Sequence, residues 1–185
     1  DSLAGDVNVS GFPTNAVAIT NNEATFGLVD DGQISLATVT GITSTGFINT
    51  VVIPNGAATI GDGPFGGTSG DFDWYSLTAA AGQTITAQVN AAGSFASTLD
   101  AVVTDFDGGA FPDPFLNFVV PADGTYFVVV RGQGTGPQGD PNNSGSGFGV
   151  SSVGLYGLII SLTDAPGTTA PLGAIQSRSM ETIIL

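Results

Sequence analysis

The chain has 185 residues, of which 42% are hydrophobic, 12 are Phe and only 10% are charged. Its 16 acidic residues face two basic ones, Arg131 and Arg178, for a net charge of -14. That balance argues against binding nucleic acid or an anionic membrane, whose phosphates need Lys and Arg, and it favours bound cations or simple solubility outside the cell.

The length suits one domain, and the apolar share is enough for a real core. Without Cys there is no disulfide, thiolate zinc site or thiol nucleophile. No apolar run reaches about 18 residues, so no transmembrane helix is expected. Abundant Gly, Ser, Thr, Asn and Asp with no Lys point to a secreted bacterial β protein.

Helix formers are scarce, and short Val, Ile, Thr and Phe runs alternate with turn clusters at roughly 8–12 residue spacing, the pattern of a sandwich or barrel. Residues 1–20 read as a leader, with Asp6-Val7-Asn8-Val9-Ser10 alternating like a strand and Ala16-Val17-Ala18-Ile19 resuming it. Strands are expected over residues 34–39 and 46–53. Pro54-Asn55-Gly56 and the Gly-rich residues 61–70 read as loop. Residues 84–90 alternate cleanly, with Ile85, Ala87 and Val89 inward. Further strands are expected over 99–106, 114–120 and 125–131, the last after the turn signal Pro121-Ala122-Asp123-Gly124. Residues 132–152 read as a long surface loop and 155–163 as the last confident strand. Residues 164–171 are an extended linker. Residues 175–185 carry Ile175, Met180, Ile183, Ile184 and Leu185, enough for one more strand.

The most informative stretch is Gly70-Asp71-Phe72-Asp73-Trp74-Tyr75-Ser76-Leu77-Thr78, which holds the single Trp. On a strand, Asp71, Asp73 and Tyr75 share one side, and Phe72, Trp74 and Ser76 share the other. Paired carboxylates invite a hard cation such as Ca2+, or else a solvated edge that discourages edge-to-edge pairing. Trp74 and Phe72 are expected as core anchors rather than as a sugar platform.

With neither His, Cys nor Lys, a Ser-His-Asp triad, a Cys-His dyad, a Schiff base and a P-loop lysine are all excluded. The only two Glu, Glu23 and Glu181, lie in edge or tail positions, so a glycosidase pair is not expected. Asp105-Phe106-Asp107-Gly108 opens like a calcium loop but lacks its later ligands and reads as a turn. Asp100 precedes a buried run and either hydrogen-bonds a loop backbone or ligates a cation. Asn8-Val9-Ser10 and Asn142-Asn143-Ser144 fit the glycosylation triplet.

The order of motifs resembles the bacterial pre-peptidase C-terminal domain family, related in fold to the collagen-binding domains of bacterial collagenases. Five stretches carry the resemblance: Asp71-Phe72-Asp73-Trp74-Tyr75, Ala80-Ala81-Gly82-Gln83, Thr98-Leu99-Asp100-Ala101-Val102, Pro121-Ala122-Asp123-Gly124-Thr125-Tyr126, and Tyr156-Gly157-Leu158-Ile159-Ile160. It covers roughly residues 20–163. It implies an all-β, antiparallel, jelly-roll-like sandwich over residues 21–163, flanked by strand-capable tails at 1–20 and 164–185. It also implies a non-catalytic module of secreted proteins that binds Ca2+. The implied ligands are Asp71 and Asp73 from the strand, with Asn22 and Glu23 matching the N-terminal pair.

Two functions follow as expectations. One is a non-enzymatic structural protein of the bacterial cell surface, self-assembling into extracellular filaments by β-strand addition through terminal strands, with Ca2+ at the subunit contacts. The other is an accessory module of a secreted hydrolase that binds collagen or a polysaccharide.

Overall fold

The computed structural model describes residues 16–21, 30, 32–61, 71–91, 101–103, 115–132, 140, 142–144 and 153–164. Their nine strands form two sheets packed face to face. The five-stranded sheet runs β1 (Ala16–Ala18), β3 (Thr50–Ile60), β9 (Gly154–Thr163), β5 (Thr84–Asn90), β7 (Phe115–Val119). The four-stranded sheet runs β2 (Thr38–Val39), β4 (Phe72–Ala79), β8 (Gly124–Gly132), β6 (Ala101–Val103). The expected all-β sandwich is therefore observed. Pairing is antiparallel except at two edges, where β1 lies parallel to β3 and β2 parallel to β4.

Alternation explains the core. In β5 the inward Ile85, Ala87 and Val89 are buried, while Thr84, Thr86, Gln88 and Asn90 are half-exposed on the outer face. Opposite them, β4 and β8 contribute Tyr75, Leu77, Ala79, Val128 and Val130. β3 and β9 add Val51, Ile53, Ile60, Tyr156, Leu158, Ile160 and Leu162.

Three local expectations are corrected. Residues 34–39 split into a 3-10 turn, Ile34–Leu36, followed by the two-residue β2. Pro54-Asn55-Gly56 is not a loop between elements but lies within β3, whose register to β9 shifts between Ile53 and Ala58. A proline is tolerated there because a bulge leaves no ladder bond for it to donate. Gly157 of β9 packs against this irregularity: a Cβ at Gly157 would stand 2.9 Å from Asn55 Cα.

The third correction concerns Trp74 and Phe72. The inward face of β4 belongs to Asp73, Tyr75, Leu77 and Ala79. Phe72 is buried, yet it points away from the inter-sheet core, and Trp74 beside it is only half-buried. They were expected to be core anchors because they are the larger apolar groups. The face was instead settled by Leu77 and Ala79, which share the parity of Asp73 and Tyr75 and continue the apolar stripe.

Candidate functional site

The inward parity of β4 draws a carboxylate between the sheets. Asp73 is fully buried, and its Oδ2 accepts from the Tyr156 hydroxyl of β9, in the opposite sheet. The Tyr156 and Tyr75 hydroxyls are 2.6 Å apart. Asn21 Nδ2 donates to the same Asp73 oxygen at 3.0 Å, and Asn21 Oδ1 accepts from Thr38 Oγ1 at 3.4 Å. A carboxylate taken out of water is costly unless donors surround it. Here two come from residues far away in the chain, so the cluster ties the segment after β1, strand β4 and strand β9 together.

Burial raises the Tyr156 phenol well above its ordinary pKa, and the Asp73 charge, Tyr75 and their hydrogen bonds add to the rise. The phenol thus stays protonated, as a donor to Asp73 must.

Asp71 immediately precedes β4 and is also buried. Its Oδ2 accepts from the Gly61 N–H at 2.6 Å, where the chain turns at the end of β3 with φ +106°. Asp71 and Asp73 are thus neither a solvated edge nor a surface pair. Among the described residues no group of three or more acidic or other metal-ligating side chains converges. Asp71 and Asp73 carry hard oxygen donors of the type Ca2+ takes, but Asn21 turns its Nδ2 toward Asp73, and two carboxylates supply only part of the six to eight oxygens Ca2+ needs. Asn22, Glu23 and Asp100 lie outside the described residues. Asn21 itself was missed by sequence reasoning, which placed the partner of Asp73 one residue later. Tyr156 was missed as a site residue as well. Its signal was the period-two parity that puts Asp73 and Tyr75 on one face, together with an inward Tyr on the closing strand.

Outside the four-stranded sheet, Trp74 meets Phe127 edge-on, with ring centroids 6.4 Å apart and planes at 77°. Phe127 is 38% exposed, and Val39 on β2 is exposed beside Ser76, the cross-strand partner of Phe127. Trp74 Nε1 is buried with no hydrogen-bond partner among the described residues. Arg131, opposite Phe72 on β8, continues this face, and its burial lowers the guanidinium pKa from the ordinary value.

The five-stranded sheet ends differently on its two sides. β1 is three residues long, whereas β7 has five, Phe115-Leu116-Asn117-Phe118-Val119. β7 pairs with β5 on one side and has no strand on the other among the described residues. Its inward Leu116 is buried, and Phe118 packs on Tyr126 at 5.8 Å. Its outward Phe115 and Val119 are 62% and 64% exposed.

At the same end of the sheet a polar cavity of about 240 Å3 is lined by Thr43, Asn49, Gln83 and Asp164. Buried Gln83 accepts from Ala80 N–H and donates to Ser44 O and to Asp164 Oδ1, at 2.8, 3.0 and 3.0 Å. That fixes where the chain leaves β9. No helix among the described residues is long and apolar enough to cross a membrane.

No family model and no curated protein matches the chain. Among solved structures it is similar to a crystal structure of Aeromonas hydrophila PliG, a periplasmic lysozyme inhibitor of g-type lysozyme. The identity is 17%, the TM-score is 0.36, and the match covers 69% of this chain and 99% of that one. A likeness at that level carries no argument about function.

Proposed function

We propose that this chain is a non-enzymatic, secreted or cell-surface structural protein that assembles into extracellular filaments by β-strand addition, with Ca2+ as a structural cation. The reading of the chain as a module like the pre-peptidase C-terminal domain belongs to the same proposal. One observation carries it: among the described residues β7 is an unguarded sheet edge. Natural edges are blunted by shortness, charge, proline or cover. Here the other three sheet edges, β1, β2 and β6, are only two or three residues long. β7 is longer, uncharged, free of Gly and Pro, and exposes Phe115 and Val119. A strand added there would satisfy backbone groups and cover apolar surface together. Because the opposite edge, β1, presents a different surface, such contacts are heterologous and build an open-ended polymer.

Negative-stain imaging with and without a chelator tests the reading. Filaments are expected with Ca2+, and fewer or shorter ones after chelation. Val119→Lys, which places a charge on the edge, is expected to leave a folded monomer. A wild-type chain that stays monomeric at every concentration and Ca2+ level would overturn the proposal.

A second reading, an accessory module that binds a polymer, is favoured by the Trp74–Phe127 pair outside the four-stranded sheet. Pull-down on insoluble collagen and polysaccharides tests it, with Phe127→Ala expected to abolish retention.

A further inference from the structure

The polar cavity at the end of the sandwich serves neither of the functions above. We propose that it binds one neutral sugar ring, with Phe47 as a stacking platform and Asp164 as a hydrogen-bond acceptor. Such a site requires neither filaments nor the Trp74–Phe127 face.

The loop that builds it is held in place. Residues 40–49 connect β2 to β3 and are tied to both sheets. Thr78 N–H of β4 donates to Ile42 O at 3.1 Å, and Leu162 N–H of β9 donates to Asn49 O at 2.8 Å. Between these ties, Gly46 N–H donates to Thr43 O at 3.0 Å and closes a turn. Ile42 is buried, and Ile48 packs on the core. A site preformed in this way loses less freedom when a ligand binds.

Phe47 lies between Gly46 and Asn49, two residues that line the cavity, and it is 103% exposed. A lone exposed apolar side chain is ordinary on a protein surface. What sets Phe47 apart is that it extends from a fixed turn beside a polar cavity. A sugar suits that pairing. The C–H face of a pyranose is apolar and slightly positive, which matches the negative face of an aromatic ring. Its hydroxyls both donate and accept.

The polar side is oriented as well. Both amide hydrogens of buried Gln83 are committed, one to Ser44 O and one to Asp164 Oδ1. Gln83 thereby fixes the Asp164 carboxylate and leaves its Oδ2 without a partner among the described residues. The Thr43 and Ser44 hydroxyls also make no hydrogen bond among the described residues. These oxygens can exchange hydrogen bonds with ring hydroxyls.

Size and charge narrow the ligand. At about 240 Å3 the cavity exceeds the roughly 150 Å3 that holds benzene. It falls below the roughly 300–1,000 Å3 of sites for drug-sized ligands. One substituted six-membered ring suits that window. The lining has one carboxylate and no cationic group, while Arg131 pairs with Phe72 at the other end of β4. In a chain at -14, like charge opposes acidic or sulfated sugars.

Amide NMR of the full chain, titrated with glucose, galactose, mannose and N-acetylglucosamine, tests the site. At least one sugar is expected to shift residues 43–49 and 163–164. Phe47→Ala should weaken that binding about tenfold, and Phe47→Trp should bind at least as well as wild type. Phe47 is fully exposed, so neither change threatens the fold. Asp164→Asn should weaken binding about fivefold, and Phe127→Ala should leave it unchanged. No response to any of the four sugars, shifts centred on Trp74 and Phe127, or a neutral Phe47→Ala would each overturn the proposal. Butylammonium is the counter-probe: if it binds in place of a sugar and is released as salt rises, the cavity takes a cation and the sugar is overturned. Failure here leaves the pull-down through Phe127 untouched, and failure of that pull-down leaves this titration untouched.

Discussion

Tyr156 of one sheet donates its hydroxyl to Asp73 of the other, and both side chains are fully buried. With the Tyr75–Tyr156 hydroxyl pair beside it, this hydrogen bond crosses the interior of a sandwich whose core is mostly aliphatic. It also sits where Asn21 brings the segment after β1 against β4.

Removing the donor should therefore cost more than a surface bond would. Tyr156→Phe keeps the ring and deletes the hydroxyl, leaving a buried carboxylate with one donor fewer. A loss of about 1.5–3 kcal/mol is expected, typical of hydrogen bonds to charged groups. It is read as a lower urea midpoint at unchanged slope. A loss under about 0.5 kcal/mol would show that the bond contributes little.

The same pair sets an alkaline limit. Burial, followed by the Asp73 charge, raises the Tyr156 pKa well above 10.0 in the folded chain. The folded state thus keeps a proton that the unfolded state releases above about pH 10. The contribution is fully present below the unfolded value and is lost as pH rises through the folded one, by up to about 1.4 kcal/mol per pH unit. Stability measured from pH 9 to 11 should fall more steeply in the wild type than in Tyr156→Phe. Parallel slopes would remove the assignment.

Calcium provides a separate test of Asp71 and Asp73. If they hold Ca2+ together with the segment near Asn21, Ca2+ at about 100 times its Kd adds about 2.7 kcal/mol. For a chain of this size that is a rise in Tm of roughly 5–10 °C. Replacing both Asp71 and Asp73 by Asn should abolish the rise and weaken hydrogen-exchange protection first over residues 16–21, which Asn21 ties to Asp73. Identical melting in Ca2+ and in chelator would eliminate the cation.

The irregular middle of β3 can be probed from β9. Gly157→Ala drives a Cβ toward the Asn55 backbone, and backbone cannot move aside as a flexible side chain can. A destabilisation of about 1–3 kcal/mol is expected. A neutral result in thermal melts would mean that the bulge yields.

Much of the fold was legible in the residues themselves. Residues 84–90, with their strict alternation, gave both the strand and its inward face, and the Pro121 to Gly124 turn announced β8. These are local signals, fixed by side-chain period and turn chemistry. Pro54-Asn55-Gly56 misled because turn residues in a bulge look the same as turn residues in a loop.

What the sequence by itself determined was the class, all-β and acidic, without the His, Cys and Lys that a Ser-His-Asp triad, a thiolate site or a Schiff base needs. It also determined that Asp71, Asp73 and Tyr75 share a face. Which face that was only the tertiary structure decided. Parity along a strand is local, but inside and outside are defined by the opposing sheet. Once Leu77 and Ala79 pack against it, Asp73 is carried inward and Trp74 outward. Likewise, no local pattern could tell that β7 would stand at the margin of its sheet among the described residues. Edge status depends on the order of strands in space, which is set by pairings such as β9 with β5, more than 60 residues apart in the chain.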